Sequence, residues 1–272
     1  MLPFMKKRYL VGNLKMNLNS VSETEQYLVA LRKESFGKRI NGVEVVVAPS
    51  SVSLERFSRE LPEPFLLGAQ DVFWEKEGSY TGQTSAPMLH DLHASFVIVG
   101  HSERRLYAHE TDAEIGWKVR TALHEHLRPI LCVGETAEER EQGEEADVVS
   151  RQIVEAFRDI PPLSAERVLI AYEPRWAIGS DTTPESEEIF EMRIVIHRAL
   201  ADAYDPTVAD KIPVLYGGSV KLSLLERVCF EPRMDGVLVG RESLYPHELV
   251  RIAQAIGEHE SRKGDGSDIN SQ

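Results

Sequence analysis

Glu173, in the stretch AYEPRWAIG, ends a short apolar run. A carboxylate that ends a buried strand loses water and becomes a stronger general base near neutrality. Pro174 stiffens the backbone after it, and Trp176-Ala177-Ile178-Gly179 is an apolar stretch closed by glycine, a composition suited to a lid over a polar site. Paired with a neighbouring Lys or Arg, the same glutamate would be structural and the loop a simple cap. His101 ends another apolar run and precedes Ser-Glu-Arg-Arg, which reads as the first turn of a helix. There the helix dipole favours a neutral imidazole able to donate an N–H to a carbonyl oxygen, although a lone histidine in such a place also serves as a plain structural residue.

Asn13 and Lys15 close the first apolar run two positions apart, which on a strand would place an amide and an ammonium on one side, facing one point. An ordinary solvated lysine is the competing reading. Gly217-Gly218-Ser219 and Val239-Gly240-Arg241 close the last two apolar runs. Backbone N–H groups in such turns can cradle a phosphate, and can equally do no more than reverse the chain. Taken together, these residues supply a carboxylate base, a neutral electrophile, a cation, a phosphate anchor and a lid. That is the set needed to move a proton beside a carbonyl on a small phosphorylated sugar. His-Ser-Glu shares an H-x-E pattern with zinc deaminases, but no P-C-x-x-C follows, so no metal is expected. The sequence contains no G-x-S-x-G, H-E-x-x-H or G-x-x-x-x-G-K-[ST] either.

Residues so far apart in the chain need a frame to bring them together. Runs rich in Val, Ile and Leu recur as YLVG, VEVVVAP, FLLGAQ, FVIVGH, PILCVGE, VLIAYE, PVLYGG and DGVLVG. They are continuous rather than alternating, which predicts strands buried on both faces. Amphipathic segments such as DAEIGWKVRTALHEHL and ESEEIFEMRIVIHRALADAY lie between them and read as helices. In PESEE the proline is expected in the first turn, with acids at the positive end of the dipole. Strand and helix alternating in this way predict a parallel α/β fold. An open doubly wound sheet shares the pattern, but eight strands without a break in composition favour closure into a single (β/α)8 barrel. NLKMN, GHSER, GETAEERE, YEPRW, YGGS and VGRES each follow a strand directly, and so gather on the C-terminal rim where barrel enzymes build their sites. The barrel is expected over residues 1–257, with 258–272 a frayed polar tail.

The bulk properties narrow the classes further. With 272 residues and 42% hydrophobic content the chain can bury one large core, and its formal charge of −13 repels nucleic acid and anionic lipid. An anionic substrate must then be held by local cations and backbone N–H groups. The two cysteines, Cys132 and Cys229, give no disulfide framework and favour a reducing compartment. No signal-peptide core or membrane-length apolar run occurs, so a cytoplasmic location is expected.

Read in order, NLKMN at 13–17, GAQD at 68–71, GSYTGQTSAPML at 78–89, VIVGHSERR at 97–105, CVGET at 132–136, AYEPRWAIG at 171–179, YGGSV at 216–220 and DGVLVG at 235–240 resemble the motifs of the triosephosphate isomerase family. The resemblance runs over roughly residues 8 to 255 and implies a TIM barrel. It further implies a glycolytic and gluconeogenic isomerase that interconverts dihydroxyacetone phosphate and glyceraldehyde 3-phosphate through an enediolate, without metal or organic cofactor. By this resemblance Glu173 shuttles the proton, His101 and Asn13 hold the enediolate oxygens and Lys15 balances charge. Gly179, Ser219, Gly240 and the N–H of Arg241 would grip the phosphate, and Ser102, Glu103 and Cys132 would give support. The family is also typically dimeric, so a homodimer is expected, with the loop Gly78–Gly82 beside the neighbour's site and Thr81 reaching across.

Several positions depart from the family's pattern. Leu14 stands where tryptophan is common and Asp71 where asparagine is. Arg175 is bulkier than its usual counterpart in the first hinge of the lid. The stretch after the lid, Gly179-Ser180-Asp181-Thr182-Thr183-Pro184, is shorter than usual and lacks the usual lysine. Arg241 replaces a second glycine, leaving its side chain to crowd the phosphate, to add a cation or to point away. Arg241 and the short hinge keep open an isomerase of a longer tetrulose phosphate; an inactive phosphate-binding paralogue is the rival from another class, and the intact Glu173, His101, Lys15 and Asn13 argue against it.

Overall fold

The eight apolar runs form eight parallel strands: β1 Arg8–Asn13, β2 Val43–Ala48, β3 Leu66–Ala69, β4 Phe96–Val99, β5 Arg128–Val133, β6 Leu169–Tyr172, β7 Val214–Tyr216 and β8 Gly236–Val239. Each pairs with the next, and β8 returns to β1 in the register Tyr9↔Gly236 to Gly12↔Val239, which closes a barrel. The computed structural model describes residues 7–177 and 183–266 of the chain. An open sheet would have left β1 and β8 as unpaired edges.

The continuous apolar runs are explained by two buried faces. Tyr9, Val11, Val46, Ile98, Cys132 and Leu238 belong to a cluster that fills the barrel interior. Their neighbours Leu10, Val45, Val47 and Val97 point outward, into a second cluster shared with helix residues such as Leu28 and Ile115. Alternation therefore separates two cores rather than core from solvent. At the closing seam Gly236 has φ +156°, and a Cβ there would lie 1.9 Å from the Tyr9 carbonyl oxygen. Only glycine lets β8 approach β1 so closely.

The helices start where their capping chemistry allows. Asp112–His124 opens on Thr111 and Ala137–Glu141 on Thr136, each with a reciprocal capping box to a glutamate three residues on. Ser186–Ala203 uses Glu185 and Glu188 in the same way, with Glu187 and Glu188 in its first turn. Pro184 thus falls just before the cap rather than within the first turn as expected. The barrel boundary is also displaced, because the last helix runs Pro246–Gly266 instead of ending at 257. Glu260 pairs with Arg8 at 2.7 Å and the His259 ring stacks on Phe230 at 3.8 Å, so polar residues assigned to a tail are docked on the barrel. Residues 267–272 lie outside the described part. No helix among the described residues is long and apolar enough to cross a membrane.

Candidate active site

Glu173 is the first residue after β6 and is 1% exposed. Its Oε2 accepts the Ser102 N–H at 3.0 Å, and its Oε1 lies 3.4 Å from His101 Nε2 with no hydrogen-bond partner among the described residues. Gly217, directly after β7, makes room for it, since a Cβ there would meet Glu173 Cγ at 2.7 Å.

His101 caps the helix Ser102–Tyr107, and its Nδ1 accepts the Glu103 N–H at 3.2 Å. A ring nitrogen that accepts a hydrogen bond carries no proton. The imidazole proton therefore sits on Nε2, facing Glu173 and the cavity, which is the tautomer an electrophile needs. Glu103 serves twice, because its Oε1 also takes the Lys15 ammonium at 2.6 Å.

Lys15 and Asn13 do meet at the cavity, but not by strand alternation. β1 stops at Asn13, and Lys15 lies beyond it in a left-handed conformation with φ 51°. The turn is held by the Lys15 N–H donating to Asn13 Oδ1 at 3.0 Å. Gln70 Nε2 donates to the carbonyls of Lys15 and Ala48, at 2.9 Å each. Because Asn13 Oδ1 is occupied, its NH2 group is left as the donor. Local side-chain hydrogen bonds of this kind are what make such a turn affordable to a non-glycine residue.

Asn13, Lys15 and His101 line one cavity of about 310 Å³ together with Ser219, Gly240 and Arg241. Gly240 sits against the lysine, as a Cβ on it would lie 3.2 Å from Lys15 Cε. Arg241 is exposed and borders the opening, at the start of a short 3-10 turn Arg241–Leu244. Ser219 Oγ donates to the Ala177 carbonyl at 3.0 Å. Glu173 stands behind this wall rather than on it. Gly179 lies outside the described residues, as does Ile178. Cys132 is buried inside the barrel beside the base; burial first, and then the Glu173 carboxylate, push its thiol well above the ordinary value. It therefore stays neutral. Thr81 does not line this cavity and is exposed, in a loop braced by the Phe73 and Tyr80 rings 4.6 Å apart. Among the described residues, no group of three or more His, Cys, Asp or Glu is placed to hold a metal ion.

Two residues that bear on the site escaped the sequence reading. Glu135 lies two residues beyond β5, much as Glu173 lies just beyond β6, and is fully buried. It receives the Tyr172 hydroxyl at 3.2 Å and the Trp176 indole N–H at 2.8 Å, and so anchors Trp176 just before residues 178–182. The criterion that singled out Glu173, a carboxylate ending an apolar run, applies equally to Val133-Gly134-Glu135. Arg227 binds Thr183, Pro184 and Glu185 on the far side of that stretch, and no local sequence pattern marks it.

The family model described as triosephosphate isomerase matches residues 8–256. A triosephosphate isomerase of Dictyoglomus turgidum is 38% identical over 252 residues, 92% of this chain and all of that protein. Those of Alkaliphilus oremlandii and Chlorobium chlorochromatii are each 40% identical, over 91% and 92% of this chain and 99% and 98% of theirs. An eight-stranded parallel barrel with Glu173, His101 and Lys15 gathered on its rim, matched over nearly the whole chain by this model and these relatives, places the chain in the triosephosphate isomerase family.

Proposed function

We propose that this enzyme interconverts dihydroxyacetone phosphate and D-glyceraldehyde 3-phosphate. The observation that carries this reading is the alignment of Glu173 with His101 Nε2–H at the edge of a cavity that also holds Lys15. Glu173 leaves the Ser102 N–H, enters the cavity, removes a proton from C1 and returns it to C2. His101 Nε2–H and the Asn13 amide donate to the two oxygens of the enediolate, and the Lys15 ammonium offsets the negative charge of substrate and intermediate. Ser219, Gly240 and the Arg241 N–H receive the phosphate, with Gly179 completing the grip. Exclusion of water protects an enediolate that would otherwise expel its phosphate.

A homodimer fits this reading, with the aromatic-braced Gly78–Gly82 loop carrying Thr81 towards a second copy. Cys132 and Cys229 are both buried thiols, which supports a cytoplasmic home. The test is turnover of glyceraldehyde 3-phosphate beside a tetrulose phosphate, by the wild type and by Glu173→Gln. A positioned base contributes about 10²–10⁴-fold, so the variant should lose at least ~10² in kcat. Equal rates would remove Glu173 from its role, and preference for the four-carbon substrate would change the substrate assignment.

A further inference from the structure

We infer that Arg227 is a positioning residue that sets the Thr183 wall of the cavity by fixing the backbone of residues 183–185. The inference rests on the isomerase reading above for what the cavity binds, but the contacts stand by themselves. Arg227 Nη2 donates to the Thr183 carbonyl at 2.6 Å and to Glu185 Oε1 at 2.8 Å, while Nε donates to the Pro184 carbonyl at 2.9 Å. One planar guanidinium thus holds two successive carbonyls and a carboxylate, which the single ammonium of a lysine cannot reproduce. Thr183 in turn lines the cavity beside Ser219 and Lys221, whereas Arg227 does not line it. Its influence on a ligand must therefore pass through Thr183.

The geometry of the connection after β7 explains how Arg227 gets there. That connection ends in a π turn, Glu226–Phe230, closed by the Glu231 N–H donating to the Glu226 carbonyl at 2.9 Å. Arg227 is the second residue of this π turn, and such turns recur at functional sites. Through the same connection Ser219 holds the Ala177 carbonyl, so both described flanks of residues 178–182 are tied to one element. The helix Ser186–Ala203 does not need Arg227 to start, since its Glu185 and Glu188 capping box is complete. The two backbone carbonyls that Arg227 holds lie before that helix, at the cavity wall.

The test compares Arg227→Met and Arg227→Lys with the wild type in KM and kcat for glyceraldehyde 3-phosphate, in affinity for inorganic phosphate by calorimetry, and in thermal midpoint. Arg227→Met should raise both KM and the phosphate dissociation constant about tenfold, with a smaller change in kcat. Arg227→Lys should recover part of that loss. Unchanged KM and phosphate affinity in Arg227→Met, whatever happens to the thermal midpoint, would overturn the inference and make Arg227 merely structural. Should Arg227→Met not fold, Arg227→Lys carries the comparison: weakened phosphate supports the inference and wild-type affinity overturns it. A wild type that binds phosphate but does not isomerise trioses would defeat the isomerase reading while leaving the phosphate comparison at Arg227 valid.

Discussion

Lys15 is one of three cations that line the cavity, with Lys221 and Arg241, and its ammonium is held by Glu103 at 2.6 Å. The pair is only partly buried, so the carboxylate orients the ammonium more than it stabilises the fold. A cation so placed serves bound substrate and transition state alike. Lys15→Ala should therefore raise KM and lower kcat together in steady-state kinetics, with a loss in kcat of about 10²-fold or more; an unchanged KM would contradict it. That Lys15 and Asn13 face one point was legible from residue type and spacing. The means was not, because it is a left-handed turn braced by Gln70, fifty-odd residues away in sequence, and alternation along a strand knows nothing of such a brace.

At the scale of elements, a buried glutamate follows each of β5 and β6 within two residues, and the two differ in their partners. Glu173 lacks a partner for one oxygen, whereas Glu135 is surrounded by the Tyr172 hydroxyl, the Trp176 indole and, at 3.6 Å, Arg140. The Arg140 guanidinium also lies over the Trp176 ring at 4.6 Å, so indole, carboxylate and guanidinium form one latch just before residues 178–182. Burial is the largest influence on Glu135 and raises it above the ordinary carboxylate value of 4.5, against the lowering by its hydrogen bonds and by Arg140. A carboxylate raised on folding contributes stability that is fully present below pH 4.5 and is lost as the pH rises through the folded value. Glu135→Gln cannot ionise but can still accept the indole N–H. Denaturant titrations at successive pH values should show this variant gaining on the wild type as the pH increases from 4.5, and a constant difference would refute the assignment. The strands, the rim and the helix starts were legible because periodicity and capping are local. The Glu135 latch and the docking of residues 258–261 were not, because they are contacts between elements.

For the molecule as a whole, the most consequential departure is Asp71. Together with Glu110 it faces Lys118 and Arg104 in a buried network: Lys118 Nζ lies 2.6 Å from Asp71 and 2.5 Å from Glu110, and Arg104 lies 2.8 Å and 2.5 Å from the same two carboxylates. Two acids and two bases leave it neutral. With asparagine at 71 it would carry an excess positive charge where Lys118 is almost fully buried. The network joins the end of β3, the helix that carries Ser102 and Glu103, and the helix Asp112–His124. It lies near the root of the Gly78–Gly82 loop, where Trp74 packs on Trp117 at 5.3 Å and its carbonyl receives the Thr121 hydroxyl at 2.8 Å. Removing one member should leave an unpaired buried charge, so Lys118→Met should cost about 3–5 kcal/mol in chemical denaturation. Asp71→Asn should also destabilise, for the opposite sign of imbalance. The double variant keeps Arg104 with Glu110 and restores neutrality, so its cost should fall well short of the sum of the two. Strict additivity would show that the four groups do not act as one unit.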